Sequence, residues 1–368
     1  METLALVVII VTALFAGMIS VELGISVALL ELILGVVIRN IFHVSAVPSL
    51  EFFAGFAGLL LTFLAGTEVD LKILKKNFRS SVVLGAMSFL APFTATLLIA
   101  HFIAHWPLKA TIITATALSN TSLAVVYAVL VERGFSGTVL GKTMMSVTFL
   151  NNCVIAVLIS FIFFKPGVMF AAFFIASILA VVFVPKTIPL FFGRYGNRII
   201  EPEIKLVLAL LSALMLVAGF AGTNAVLPVF VLGLLLSGHY AKHRKEQERL
   251  RVTAFSFLTP FFFIFSGMRV NASEVMVSVP LLLLFLSGKT ISKFLTNMVF
   301  GKAFEDNKVY VSLILSTGLT FGVIAAAFGL SAGFIDEAKF SLIIAVEVIS
   351  AILPTIIAQR YFEPKVRR

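Results

Sequence analysis

Residues 138–164 read TVLGKTMMSVTFLNNCVIAVLISFIFF, an apolar run with a single charge, Lys142, and with Asn151 and Asn152 side by side near its centre. Two adjacent carboxamides at mid-membrane depth are costly unless they meet partners or line a wet cavity. Three other stretches break the same pattern. Residues 109–131 carry Ser119-Asn120-Thr121-Ser122 at their centre, 308–331 carry Ser316-Thr317-Gly318 and Thr320, and 275–300 hold Lys289 and Lys293. The expectation is that these four segments meet around a small-ion pathway and that the rest of the chain holds them there.

The composition supports a membrane setting. The 368 residues are 60% hydrophobic and 12% charged, whereas a soluble chain carries about 25% charged residues. The apolar residues come in runs of about 20, the length at which a helix crosses a bilayer. A net charge of +10 suggests nucleic acid only where basic residues gather on a soluble surface. Here they sit in short loops between apolar runs, so they report topology and no nucleic-acid partner is expected. One cysteine, Cys153, excludes an intrachain disulfide and a thiolate-rich metal site. The first apolar run, 4–20, has no basic segment before it and reads as a span, not a cleaved signal.

Thirteen spans are expected: 4–20, 23–38, 50–66, 80–104, 109–131, 138–164, 167–190, 203–220, 224–238, 253–268, 275–300, 308–331 and 338–361. Loops after odd-numbered spans, with the adjoining span ends and the C-terminus, hold 21 of the 28 Lys and Arg residues, and loops after even-numbered spans with their adjoining span ends hold 5. The remaining two are Lys289 and Lys293. That asymmetry places the N-terminus outside and the C-terminus in the cytoplasm of a cell-membrane protein. An internal repeat accompanies it. Gly24-Ile25-Ser26-Val27 with Leu34-Gly35-Val36-Val37 is similar to Gly222-Thr223-Asn224-Ala225 with Leu232-Gly233-Leu234-Leu235, and Phe63–Asp70 is similar to Ile264–Asn271. Ser119–Ser122 falls over Thr317–Thr320 at nearly the same offset. Residues 1–165 and 203–368 are therefore expected to be two six-helix repeats joined by a connector, 166–202. Seven spans separate equivalent elements, so the two halves run in opposite directions through the membrane. Inverted repeats of this kind are typical of secondary transporters, with the site near the midplane.

Within this frame the polar residues sort by depth. The clusters 119–122 and 316–320 favour side-chain-to-backbone bonds over an unbroken helix, and their hydroxyls can satisfy backbone groups freed by an unwound turn. Two broken crossing helices place partial charges at mid-membrane. Lys289 lies beyond easy reach of either surface and calls for a carboxylate or a polar cavity. Lys293, one turn nearer the cytoplasm, is in position to snorkel. Glu31 and Glu347 are the buried carboxylate candidates. Glu68, Asp70, Lys72, Lys75 and Lys76 read as a solvated charge cluster. His239, His243 and the charges through Arg251 read as a basic loop able to sense pH or bind anionic lipid. His101, His105 and Trp106 read as an interfacial anchor. No phosphate loop, zinc spacing or catalytic triad is visible, so neither a cofactor nor enzymatic activity is expected.

Phe63-Leu64-Ala65-Gly66-Thr67-Glu68-Val69-Asp70-Leu71, Phe230-Val231-Leu232-Gly233 and Phe261–Met268 together resemble the sodium/proton exchanger domain, most closely the NapA and Kef-like branch of the monovalent cation–proton antiporters. The resemblance implies an NhaA-like fold. Spans four to six and eleven to thirteen would form an ion-binding core that moves against a dimerising scaffold of spans one to three and eight to ten. It also implies a homodimer that exchanges Na⁺, favoured over K⁺, for H⁺ by alternating access. Asn151, Asn152, Asn120, Thr121 and Ser122 would line the ion site, Lys289 would supply the competing charge, and Glu31, Glu347, Ser119, Thr317 and Thr320 would be secondary candidates. One departure matters. The family carries Asp-Asp or Asn-Asp where this chain has Asn151-Asn152, and a carboxamide offers an oxygen to a cation but does not titrate. Antiport by the family's mechanism is then expected to be lost or displaced onto Glu31, Glu347 or Lys289: either one aspartate has been replaced, or the pair is native and the chain has another coupling mode or substrate. An organic-anion transporter of the bile-acid type is the alternative, because Lys289 between helix ends would suit a carboxylate substrate. An uncoupled ion pathway is the third possibility.

Overall fold

In lipid every backbone polar group must be satisfied within its own segment, so apolar runs of this length fold as helices. A computed structural model describes residues 2–23, 26–42, 48–68, 78–132, 135, 138–162, 167–196 and 198–364, and the chain is an all-helical polytopic membrane protein. The helices are α1 (Glu2–Leu23), α2 (Val27–Asn40), α3 (Pro48–Thr67), α4 (Phe78–Leu98, extended by a π turn Ile99–Ile103), α5 (Leu108–Leu118), α6 (Leu123–Glu132), α7 (Val139–Ile162) and α8 (Val168–Tyr195). They continue as α9 (Pro202–Phe220), α10 (Val226–Lys242), α11 (Arg244–Met268, with a π turn at Ala254–Leu258), α12 (Ala272–Val277), α13 (Val279–Phe300), α14 (Lys308–Leu315), α15 (Thr320–Ser331) and α16 (Glu337–Tyr361). Among the described residues, ten helical segments are long and apolar enough to cross a membrane.

Each of the thirteen expected spans contains helix, and the differences lie at the ends. The tenth begins at Arg244, not 253, because a charged turn, RKEQERLRVT, is helical and runs directly into the apolar part. The eleventh is split: Pro280 sits in the first turn of α13, where its missing N–H costs nothing, and residues 272–277 form a separate short helix capped by Asn271. Gly24 and Ile25 of the repeat, and Asp70, Lys72, Lys75 and Lys76 of the charge cluster, lie outside the described residues.

Helix starts recur at a nearly constant interval. α2 begins at 27 and α10 at 226, α4 at 78 and α13 at 279, α5 at 108 and α14 at 308, α6 at 123 and α15 at 320, and α7 at 139 and α16 at 337, intervals of 199, 201, 200, 197 and 198. The chain forms two compact units. One comprises residues 1–10, 47–71 and 156–262, the other 11–46, 72–155 and 263–368. In the first unit α3 and α10 cross at Gly66 and Gly233, where a Cβ on Gly233 would lie 3.1 Å from the Gly66 Cα and closer still to the Phe63 carbonyl. In the second, α2 and α11 cross at Gly35 and Gly267, with a Cβ on either glycine 3.0 Å from the other's Cα. Backbones this close admit no side chain, so small residues set each crossing. The second unit holds all the polar centres described next.

Candidate functional site

Both expected breaks are present. α5 stops at Leu118 and α6 starts at Leu123; α14 stops at Leu315 and α15 starts at Thr320. Local side-chain bonds loosen each end: Ser119 Oγ donates to the Ala115 carbonyl (2.5 Å), Ser316 Oγ to Ser312 (2.6 Å) and Thr317 Oγ1 to Ile314 (2.7 Å). The two breaks brace one another. The Ser122 N–H donates to the Thr317 carbonyl at 3.0 Å, and the Thr121 hydroxyl to the Leu315 carbonyl at 3.1 Å. Asn151 ties α7 to the first break, its Oδ1 accepting the Thr121 N–H (2.9 Å) and its Nδ2 donating to the Ser119 carbonyl (3.2 Å). Backbone groups that an unbroken helix would have satisfied thus find partners without water.

The charges come from α13 and α16. Lys289, Lys293 and Asn297 recur every fourth residue and are all buried on one face of α13. Lys289 Nζ donates to Glu347 Oε1 at 2.6 Å, both side chains fully buried. Lys293 does not snorkel. It is 0% exposed and donates to the Ser119 and Asn120 carbonyls at 2.7 and 2.5 Å, placing an ammonium on the negative end of α5. Asn120, oriented so that donors meet acceptors, donates to Glu347 Oε2 (3.1 Å) and accepts from the N–H groups of Leu319 (3.1 Å) and Gly322 (2.8 Å). Glu347 is therefore held from both sides beside the positive N-terminal end of α15. A Cβ on Gly318 would fall under 3.0 Å from Lys289 Nζ, the Asn120 amide and Glu347 Oε2 alike, and one on Gly322 would meet the Glu347 carboxyl. Two hydrogens in place of side chains are what admit the carboxylate.

Of the residues expected at the site, Ser119, Asn120, Thr121, Ser122, Asn151, Thr317, Lys289 and Glu347 join one network. Asn152 and Thr320 are buried, and neither the Asn152 amide nor the Thr320 hydroxyl has a hydrogen-bond partner among the described residues. Glu31 is also buried but makes no hydrogen bond to this network among the described residues. Sequence reasoning missed the backbone role of Lys293, the glycines under Glu347, and Asn297, whose amide atoms also lack partners among the described residues. The four-residue spacing of 289, 293 and 297 was the available signal.

Comparison with known proteins bears on what such a network does. A family model described as "Sodium/hydrogen exchanger, transmembrane" matches residues 10–363. The chain is similar to the probable Na(+)/H(+) antiporter 3 of Methanocaldococcus jannaschii, 25% identical in an alignment of 355 residues that covers 92% of this chain and 90% of that one. It is also similar to K(+) efflux antiporter 2, chloroplastic, of Arabidopsis thaliana, 26% identical across 86% of this chain and 28% of that protein. In fold it is similar to the sodium proton antiporter MjNhaP1 of Methanocaldococcus jannaschii, with a TM-score of 0.73 at 18% identity, covering 98% of this chain and 97% of that one.

Proposed function

This chain belongs to the sodium/hydrogen exchanger family, and from that premise we propose that it exchanges a monovalent cation for protons by alternating access, with Glu347 as the exchanging carboxylate. The observation that carries this reading is the fully buried Lys289–Glu347 pair at 2.6 Å, set against both helix breaks. A cation competes with a proton here by displacing the protonated Lys289 side chain from a carboxylate, and Asn151 and Asn152 supply neither partner. At the 198-residue interval relating α7 to α16, Asn151 and Asn152 fall on Ile349 and Ser350, within a turn of Glu347. The acid has moved from one repeat to the equivalent helix of the other.

A cation arriving at Glu347 displaces the Lys289 ammonium, whose proton then leaves. The oxygens of Asn152 and Thr320, which have no hydrogen-bond partner among the described residues, complete the cation's shell, and Asn151 holds the break in place. Release on the far side lets Lys289 reclaim a proton and Glu347. Sodium is favoured over potassium because Gly318 and Gly322 leave a compact space around the carboxylate. The recurring helix starts support an inverted repeat with residues 166–202 as its connector, and spans four to six and eleven to thirteen as the moving core of a homodimer. The distribution of Lys and Arg supports an outside N-terminus in a cell membrane. The organic-anion alternative needs an ammonium free to meet a substrate carboxylate, whereas Lys289 is engaged by Glu347 and Lys293 by two carbonyls.

The test is Na⁺-driven proton movement in proteoliposomes. The chain as it stands exchanges, and Glu347→Gln loses roughly a hundredfold or more, the range for removing an essential proton-transfer group. Equal exchange by Glu347→Gln removes the reading.

A further inference from the structure

Outside the transport network, the turn joining α10 to α11 gathers three metal-ligating side chains. We infer that His239, His243 and Glu246 form a binding site for one divalent transition-metal ion of the zinc class. The two histidines are four residues apart at the end of α10, which puts both rings on one face, and Glu246 follows in the first turn of α11. One donor atom from each residue lies within 4.8 Å of the others. His239 Nε2 and Glu246 Oε2 are already 2.8 Å apart, both side chains about nine-tenths buried.

A His–Glu ion pair alone needs one imidazole, yet a second is stacked on it, with ring centroids 4.3 Å apart at 21°. His243 Nδ1 faces the His239 carbonyl oxygen at 3.1 Å. A proton donated along that contact leaves the lone pair on Nε2, the outer-sphere arrangement that fixes a metal-binding tautomer. Phe192 and Tyr240 pack edge-on against the His239 ring and hold it. His243 is exposed, and it is the side chain that would have to move for donors within 4.8 Å of one another to reach metal–nitrogen bonds of about 2.0–2.1 Å.

The chemistry of the donors selects the ion. Lys242, Arg244 and Lys245 are exposed beside the turn, and a hard oxygen-seeking cation would gain only one carboxylate against them. Two imidazoles and a carboxylate suit Zn²⁺, Ni²⁺ or Co²⁺. Binding clamps a turn whose far side is tied to α3, since Gln247 donates to Thr67 and Arg251 pairs with Glu68 at 2.8 Å. This inference is independent of the exchange reading.

The probe is Zn²⁺, measured by equilibrium dialysis and calorimetry on untagged full-length protein in detergent. The expected result is one saturable Zn²⁺ per chain and a raised unfolding midpoint. Binding weakens at least about tenfold in His243→Ala, the low end of what even an outer-sphere partner is worth. His243 is exposed, so that variant keeps its fold. The chain has five histidines, and a control changing His43, His101 and His105 to Gln binds as before. X-ray absorption of the zinc-loaded protein shows nitrogen and oxygen donors only. Absence of saturable binding, unchanged binding in His243→Ala, loss in the control, or sulfur in the absorption spectrum each overturns the site.

Discussion

The two helix breaks are alike in sequence pattern and unlike in what they are given. The first, 119–122, receives an ammonium: Lys293 sits on the carbonyls of Ser119 and Asn120. The second, 316–319, receives a hydroxyl and a backbone N–H at the carbonyls of Leu315 and Thr317 and the Asn120 amide oxygen at the Leu319 N–H, and the acid lies beyond it near the start of α15. At the 198-residue interval Asn120 falls on Gly318, and the two positions adjoin, the amide occupying space that a side chain at 318 would need. Two similar stretches about 198 residues apart thus supply the pair of broken helices, and the side chains that differ between them supply the charge. Transport chemistry needs the second as much as the first.

The largest effect that would break this comparison lies at the ion pair. Lys289→Met leaves the Glu347 carboxylate buried without its ammonium and should cost about 3–5 kcal/mol, read as a fall in unfolding midpoint in detergent. The double variant Lys289→Met/Glu347→Met should recover most of it, because an apolar pair replaces a buried ionic one. No recovery would mean that Glu347 matters for packing and not for charge. Next, Gly318→Ala should destabilise by about 1–3 kcal/mol through overpacking against Lys289, Asn120 and Glu347. If Asn120→Ala relieves that cost, the two breaks share the space as described; a purely additive double variant would show that they do not.

Lys293→Met removes two charge-assisted bonds from the first break alone and should cost about 1.5–3 kcal/mol. Asn152→Asp introduces a titratable group next to Asn151, and Na⁺-dependent proton flux should change its pH profile while Na⁺ dependence persists. An unchanged profile would show that residue 152 does not face the ion. The smallest effect is far from either break. Asp336 caps α16, accepting from the Lys339 backbone N–H at 2.8 Å and from the Lys339 ammonium. Partial burial pushes its carboxyl upward, but these bonds outweigh it and hold the carboxyl below its usual range. Its contribution is therefore present above the ordinary carboxylate range and lost as the pH falls through the lowered value. Asp336→Ala should cost about 1 kcal/mol near neutral pH and nothing in acid, checked by unfolding at both.

Much of the fold was legible because membrane spans announce themselves by length and because Ser, Thr, Asn and Gly gather where a helix opens. The breaks at 119–122 and 316–319 were visible for that reason. Partnership was harder. Lys289 and Glu347 are 58 residues apart, and periodicity says which face a side chain takes without saying what stands opposite. Lys293 looked free to snorkel because depth was counted from the end of its helix; packing against the first break decided otherwise. The charged start of α11 hid a helix, since hydropathy marks where a helix meets lipid and not where it begins.

The most direct measurement of the central claim is proton release on adding Na⁺ to purified protein in weakly buffered detergent solution. If Glu347 trades the Lys289 ammonium for a cation, the chain as it stands releases protons in proportion to Na⁺ bound, and Glu347→Gln binds little Na⁺ and releases none. Proton release that survives Glu347→Gln unchanged, or Na⁺ binding with no proton release at all, contradicts the account.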